Sequence, residues 1–180
     1  MKYFLAIIML FSTIYLSKCF GAVDYEKLAN KITNQTIKHL STEKNLLCIG
    51  RGGGMMGLLW HKLLAFHYYR PVTLEEARNL IIYATESYRK DINASKEIRS
   101  YLIEYPFPPS RFNMAIYFFK DRSLATVEYD QITYVSVNDE IIEYILGHEA
   151  KQSIAHRETY AEALKIVQEK QAATSIGAIQ

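Results

Sequence analysis

The chain is sparing with residues that staple or stiffen a fold: its 180 residues hold two cysteines, Cys19 and Cys48, and four prolines, all between Pro71 and Pro109. So few cysteines exclude a disulfide-stapled scaffold, and the absence of periodic glycine or low-complexity tracts excludes a collagenous or disordered chain. Neither sign of charge dominates. Lys2 and Lys18 are the only charged residues among the first 22, so the remainder sets 19 basic against 19 acidic side chains. That balance argues against nucleic acid or an anionic membrane surface as an obligatory partner, because both ask for a clustered basic face. Long apolar runs are missing too: Tyr3 to Leu16 falls short of the roughly 20 residues that span a bilayer. What is present, 49% hydrophobic and 22% charged side chains, suits one globular domain with a core of its own.

Residues 1–22 read as a secretory signal peptide, with Lys2 as the basic start, Tyr3 to Leu16 as the apolar stretch and Ser17 to Ala22 as the small-residue exit. Cleavage after Gly21 places Cys19 and Gly21 at the two positions that should be small, whereas cleavage after Ala22 would place Phe20 there. Leu16 to Cys19 resemble a bacterial lipobox, with Lys18 standing where a small residue is wanted. The expectation is therefore an exported protein, periplasmic or extracellular, that meets a membrane only through an uncleaved or lipidated N-terminus. Loss of Cys19 leaves Cys48 alone, in the apolar stretch Leu46 to Ile49, where it reads as a small buried hydrophobe rather than a reactive thiol.

Downstream, residues 23–170 read as a single α+β domain and 171–180 as a flexible tail. Asp24 to Leu40 carries an apolar stripe at helical spacing, with Asp24 as N-cap. Leu46 to Ile49 leads into a glycine-rich loop, Gly50 to Gly57, and Leu58 to Tyr69 reads as a strand, helix being the alternative. Pro71 to Asp91 bears the clearest signal: Thr73 and Glu76 form a capping box, Val72 and Ala77 a staple, and Leu74, Ala77, Ile81, Ala84 and Tyr88 line one face. Ser95 should cap a shorter helix ending near Tyr101, and the prolines from Pro106 to Pro109 stop it. Four strands are then expected, at Asn113 to Lys120, Leu124 to Tyr129, Ile132 to Val137 and Glu140 to Leu146, with Tyr117 and Phe119 sharing one covered face and Ile116 and Phe118 the other. Gly147 should end the sheet, and Arg157 to Lys170 make a closing helix. The fold class predicted is α+β: an N-terminal helix and a long central helix packed on a mostly antiparallel sheet, with a C-terminal helix.

Chemistry is thinly signalled. Gly52, Gly54 and Gly57 satisfy G-x-G-x-x-G, but the acid expected at the end of the next strand is missing and the rest of the chain reads as hairpins, which disfavours a dinucleotide. A more modest reading makes Arg51, Gly52, Gly53 and Gly54 an anion-binding nest, with Arg51 supplying charge. His148-Glu149 begins like a zinc-protease helix, yet Gln152 occupies the place of its second ligand. His61 and His67 on one strand would stand about 20 Å apart at roughly 3.3 Å per residue, too far to share a metal. No metal or cofactor is therefore expected. Glu75, Glu76, Glu86 and Glu97 suit a solvated helix face better than a catalytic pair. Fourteen tyrosines fit either a recognition surface or cross-strand packing. Asn34-Gln35-Thr36 and Asn93-Ala94-Ser95 match the glycosylation acceptor, which matters only in a eukaryotic secretory pathway.

Several segments, in order, carry a resemblance: Gly52-Gly53-Gly54-Met55-Met56, Leu74-Glu75-Glu76-Ala77-Arg78, Ile92-Asn93, Ile98-Arg99-Ser100-Tyr101-Leu102 and Tyr105-Pro106-Phe107. Together they resemble a family of small uncharacterised exported proteins of host-associated bacteria, over roughly residues 24 to 146. Ser100 stands where that pattern has proline, and the closing helix departs from it. The resemblance implies a bacterial exported domain and transfers no activity, cofactor or catalytic residue. The function expected is a non-catalytic binding domain of the envelope or extracellular space, its partner a protein or envelope component. The alternatives are a small enzyme acting on an anion at the loop 50–57, and an uncleaved membrane-tethered subunit.

Overall fold

Asp24 accepts the Lys27 backbone N–H at 3.1 Å and so starts helix α1, Tyr25–Lys44. Asn45 ends it in the left-handed conformation, returning its N–H to the carbonyls of Leu40 and Ser41. The computed structural model describes residues 24–148 and 151–177, and the expected signal segment lies outside them. Two strands follow, β1 Leu47–Met55 and β2 Leu59–Tyr68, paired antiparallel. The Thr73–Glu76 capping box then opens helix α2, Leu74–Ala94, as its sequence predicts.

After α2 the chain returns along β3, Phe112–Phe118, which runs parallel to β2. Parallel neighbours cannot be joined by a tight turn, and α2 is the crossover that joins these. Strands β4 Ile132–Asn138, β5 Ile141–Leu146 and β6 Ser153–Thr159 complete a mixed sheet in the order β1 to β6, every pair but β2–β3 antiparallel. Helix α3, Tyr160–Gly177, closes the described chain.

All three helices pack on one face of the sheet. Helix α2 sits centrally: Ala77, Ile81, Ala84, Tyr88 and Ile92 are fully buried against Leu64, Phe66, Phe112, Ile116 and Val135. Burying side chains of this size contributes on the order of 2 kcal/mol each. Helix α1 meets α2 through polar groups as well: Thr33 shares a hydrogen bond with the Tyr88 hydroxyl, and the Thr36 hydroxyl donates to Asp91 at 2.5 Å. On the other flank the Arg78 guanidinium of α2 donates to Glu158 of β6 at 2.7 Å, and the Tyr144 hydroxyl donates to the same oxygen at 2.5 Å. Burial and the carboxylate together push the Tyr144 phenol well above its ordinary range. This buried ion pair fixes the last strand to the central helix.

Five expectations are corrected. The segment Gly50 to Gly57 is not a loop up to Met55: it is strand, because β2 supplies a ladder partner for each glycine and pairing overrides the weak strand propensity of glycine. Gly53, at φ 156°, lies where a Cβ would stand 2.4 Å from the His61 carbonyl oxygen. Leu124 to Tyr129 is irregular apart from the bridge between Phe119 and Thr126; the backbone turns sharply at Leu124, φ 64°, and the Asp121 carboxylate ties back Ser123. Gly147 does not end the sheet but makes the turn into β6, at φ 76° and with no room for a Cβ beside the Lys151 carbonyl. Arg157 to Thr159 accordingly belongs to a polar edge strand and α3 starts at Tyr160, running on to Gly177 beyond the expected end at residue 170. Ser95 closes α2 instead of opening a helix, leaving one 3-10 turn at Arg99–Tyr101.

Asn93 explains how the excursion from 95 to 111 is held. Its amide oxygen accepts the Phe107 N–H at 2.7 Å and its amide nitrogen donates to the Phe107 carbonyl at 3.2 Å, a peptide-like double bond that seats the buried Phe107 edge-on against Phe112. That engagement leaves Asn93 unsuited to carry a glycan.

Two stability outcomes follow. Glu158→Leu strands the Arg78 charge in the interior and is expected to cost about 3–5 kcal/mol, read as a lower urea midpoint, while Arg78→Met combined with it recovers most of the loss. Asn93→Ala removes both bonds to Phe107 and is expected to cost about 2 kcal/mol in the same assay.

Candidate functional site

Because the described helices occupy one face, the side chains of alternate strand positions stand on a second face that no helix among the described residues covers. Strand pairing aligns them into rows. One row crosses all six strands through Leu47, His67, Tyr117, Tyr134, Ile145 and Ile154. The next row runs through Gly50, Ala65, Ala115 and Ser136 to the ion pair of Glu143 with Arg157. Small residues beside large ones make a trough. Its floor spans four strands, on the order of 15 Å at the usual strand spacing.

The wall of the trough is aromatic. His67 lies 4.7 Å from Phe119 and 6.3 Å from Tyr117, both edge-on, and Tyr117 lies 5.4 Å from Tyr134. Tyr69 closes the cluster beside His67 and Phe119. Burial in this cluster pulls the His67 imidazole below its ordinary range, so the ring is neutral near pH 7. At the other end of β2, Trp60 and Leu63 stand on the same face, 46% and 41% exposed, above the bare backbone of Gly54 and Gly52. The expectation that β3 is covered on both sides is thus met on the helix side only, and Tyr117 remains 37% exposed. Sequence reasoning identified Tyr117 and Phe119 as one face but missed the trough, which exists only once six strands are paired.

The predicted nest residues are divided by the strand. Gly52 and Gly54 present bare backbone to the uncovered face, whereas Arg51, opposite Leu64, points to the helix side and donates to Asn34 of α1 at 2.6 Å. An extended strand directs alternate N–H groups to opposite sides, so Arg51 to Gly54 do not converge on one anion through their backbones. Instead the fold places Arg51 diagonally from Lys62, which is opposite Gly53 on the same helix-facing side. Lys62 is only 3% exposed. Burial first, and then the Arg51 charge, pull its ammonium below the usual lysine range.

The other candidates serve the fold. Cys48 packs against the core and burial pushes its thiol up, which keeps it unreactive at neutral pH. The Thr73 backbone and hydroxyl hold the Glu76 carboxyl below the usual range, with Arg70 adding to the effect. Burial raises the Glu86 carboxyl, but hydrogen bonds from Arg89 and Tyr160 outweigh it and keep the group ionised. His148 is bound to the Val127 carbonyl at 2.7 Å. Among the described residues no three His, Cys, Asp or Glu side chains come together as a metal site, and no helix is long and apolar enough to cross a membrane. An open groove of about 1880 Å³ runs between the helices, where apolar side chains such as Leu28, Leu164 and Val167 alternate with charges that pair with one another, as where Lys170 meets Glu75 at 2.6 Å.

Comparison with protein families, with characterised proteins and with solved structures gives no match. The reading of the site therefore rests on its own geometry.

Lys62 yields a pH prediction. Its folded-state pKa is below the unfolded value near 10.5, so between the two the unfolded chain holds a proton that the folded chain has lost, and raising the pH through that interval favours folding. Denaturant midpoints of the wild-type protein measured at stepped alkaline pH should gain relative to those of Lys62→Met, which lacks the titrating group.

Proposed function

We propose that this chain is an exported bacterial domain that works by binding, and that the uncovered sheet face is where its partner, a protein or envelope component, is seated. The observation that carries this reading is the trough of Gly50, Ala65, Ala115 and Ser136 walled by His67, Tyr117 and Tyr134. Export is supported by the character of residues 1–22 and by the resemblance to small exported proteins. A sheet face left without a helix normally alternates polar residues outward. Here Leu47, Trp60, Leu63, Tyr117 and Ile154 stand there instead, each more than a third exposed. Rigid rings with polar tips supply contact area at low entropic cost, and a smooth floor lets an extended chain lie close.

Binding rather than catalysis fits the chemistry of this face. Its titratable groups are His61, the neutral His67, tyrosines and the mutually compensated Glu143 and Arg157, and none is positioned as a nucleophile with a base and an orienting partner.

Trp60, the single tryptophan of the chain, reports on the face directly. Adding an envelope fraction that contains the partner should shift its emission to the blue as the indole loses water. Ala115→Arg, which fills the trough while leaving the core untouched, should abolish that shift with the melting temperature little changed. An unaltered response in Ala115→Arg would remove the trough from the reading.

A further inference from the structure

We propose that Lys62 and Arg51 form a binding site for a small oxyanion, the carboxylate or phosphate group of a ligand, at the β1 edge of the sheet and on its helix side. This site is separate from the aromatic trough and does not depend on it.

The argument starts from a charge without a counter-charge. Lysine is almost never fully buried unless paired, yet Lys62 is 3% exposed and its ammonium makes no hydrogen bond or ion pair with any described residue. The one charge acting on it is Arg51, of the same sign. Two cations held together in a partly dry place raise the free energy of the protein by itself and lower that of an anion that joins them. No acid acts on Lys62 to offset this; on α1 and in the loop after α2, Asp24 caps the helix and pairs with Lys27 at 3.0 Å, Glu26 accepts the Tyr25 hydroxyl at 3.4 Å, and Glu97 accepts the Ser95 hydroxyl at 3.0 Å.

Geometry supplies access. Strand β1 lies at the sheet edge, and Arg51, Gly52, Gly53 and Gly54 are all exposed. Gly53, paired with Lys62, has no side chain, so the ladder partner of the buried lysine puts nothing but backbone between it and the edge. Asn34 holds Nη1 of Arg51 and leaves Nε and Nη2 without a partner, two parallel donors in the spacing that suits a carboxylate or phosphate. The ammonium of Lys62 adds up to three more. On the α1 surface around Asn34, Lys31 and Lys38 add charge of the same sign around a shallow recess.

The test is a thermal melt of the purified protein at low ionic strength against sodium phosphate and sodium succinate, with sodium chloride at matched ionic strength as reference. One of the two anions should raise the midpoint by several degrees beyond chloride at saturating concentration, and which of them does so separates a phosphate from a carboxylate ligand. Arg51→Ala, checked for folding by its melting temperature in chloride alone because it also removes the contact with Asn34, should weaken that response at least tenfold. Lys62→Met should abolish it while melting at or above the wild type in chloride alone, because an unpaired interior charge is gone. A response equal to that of chloride, or one that survives both substitutions, would overturn the proposal. A Lys62→Met protein that melts well below the wild type would also count against it, since the lysine would then be serving the fold.

Discussion

The parallel pairing of β2 with β3 is the constraint from which the remaining architecture descends. Two adjacent strands pointing the same way need a long return path, and α2 supplies it across one face of the sheet. Its apolar side must then be buried, which fixes the inward identity of Leu64, Phe66, Met114 and Ile116. Helices α1 and α3 dock on its two flanks, one by threonine hydroxyls meeting Tyr88 and Asp91, the other by Tyr160 donating to Glu86 at 2.6 Å. A single helical layer results. With all the helices of the described residues committed to that layer, none of them covers the opposite face.

The two faces divide the electrostatic labour. On the helix side lie the costly polar groups: the Arg78–Glu158 pair, sealed and supported by Tyr144, and Lys62, equally deep and unsupported. The contrast is instructive because both sit at strand positions facing helices and differ only in what the neighbouring element offers. Helix α2 brings a guanidinium to Glu158, while β1 brings a second cation to Lys62. On the outer face charge is nearly absent, and its one ion pair, Glu143 with Arg157, stands at the far end of the small-residue row.

Where the sequence was read correctly, the signal was local. The Asp24 cap, the Thr73–Glu76 box and the 3.6-residue stripe of α2 each declare themselves within one or two turns, and each is found where its residues place it. The errors arise where long-range pairing decides. Three alternating glycines look like a connector until β2 lies beside them, and Ser153 to Thr159, carrying His156, Arg157 and Glu158, has no hydrophobic alternation to announce a strand because Glu158 is its only buried residue. The α+β class was legible, but the side to which Arg51 points was not. That direction depends on the bulge between Cys48 and Gly50, which shifts the parity of everything after it.

Strand β1 carries little information about its own alignment. Where Gly50, Gly52, Gly53 and Gly54 face β2, a slide by two residues would exchange one missing side chain for another and cost almost no packing. The alignment must therefore be specified at the margins, by Cys48 and Met55 seated against the core, and in the middle by a single contact, Arg51 with Asn34. The guanidinium thus proofreads the strand: slipped by one step of the pleat it would swing to the other side of the sheet, and by two it would lose its amide. An arginine that looks like a surface ornament in the one-dimensional chain is, in the folded molecule, the pin that tells a featureless ribbon where to stop.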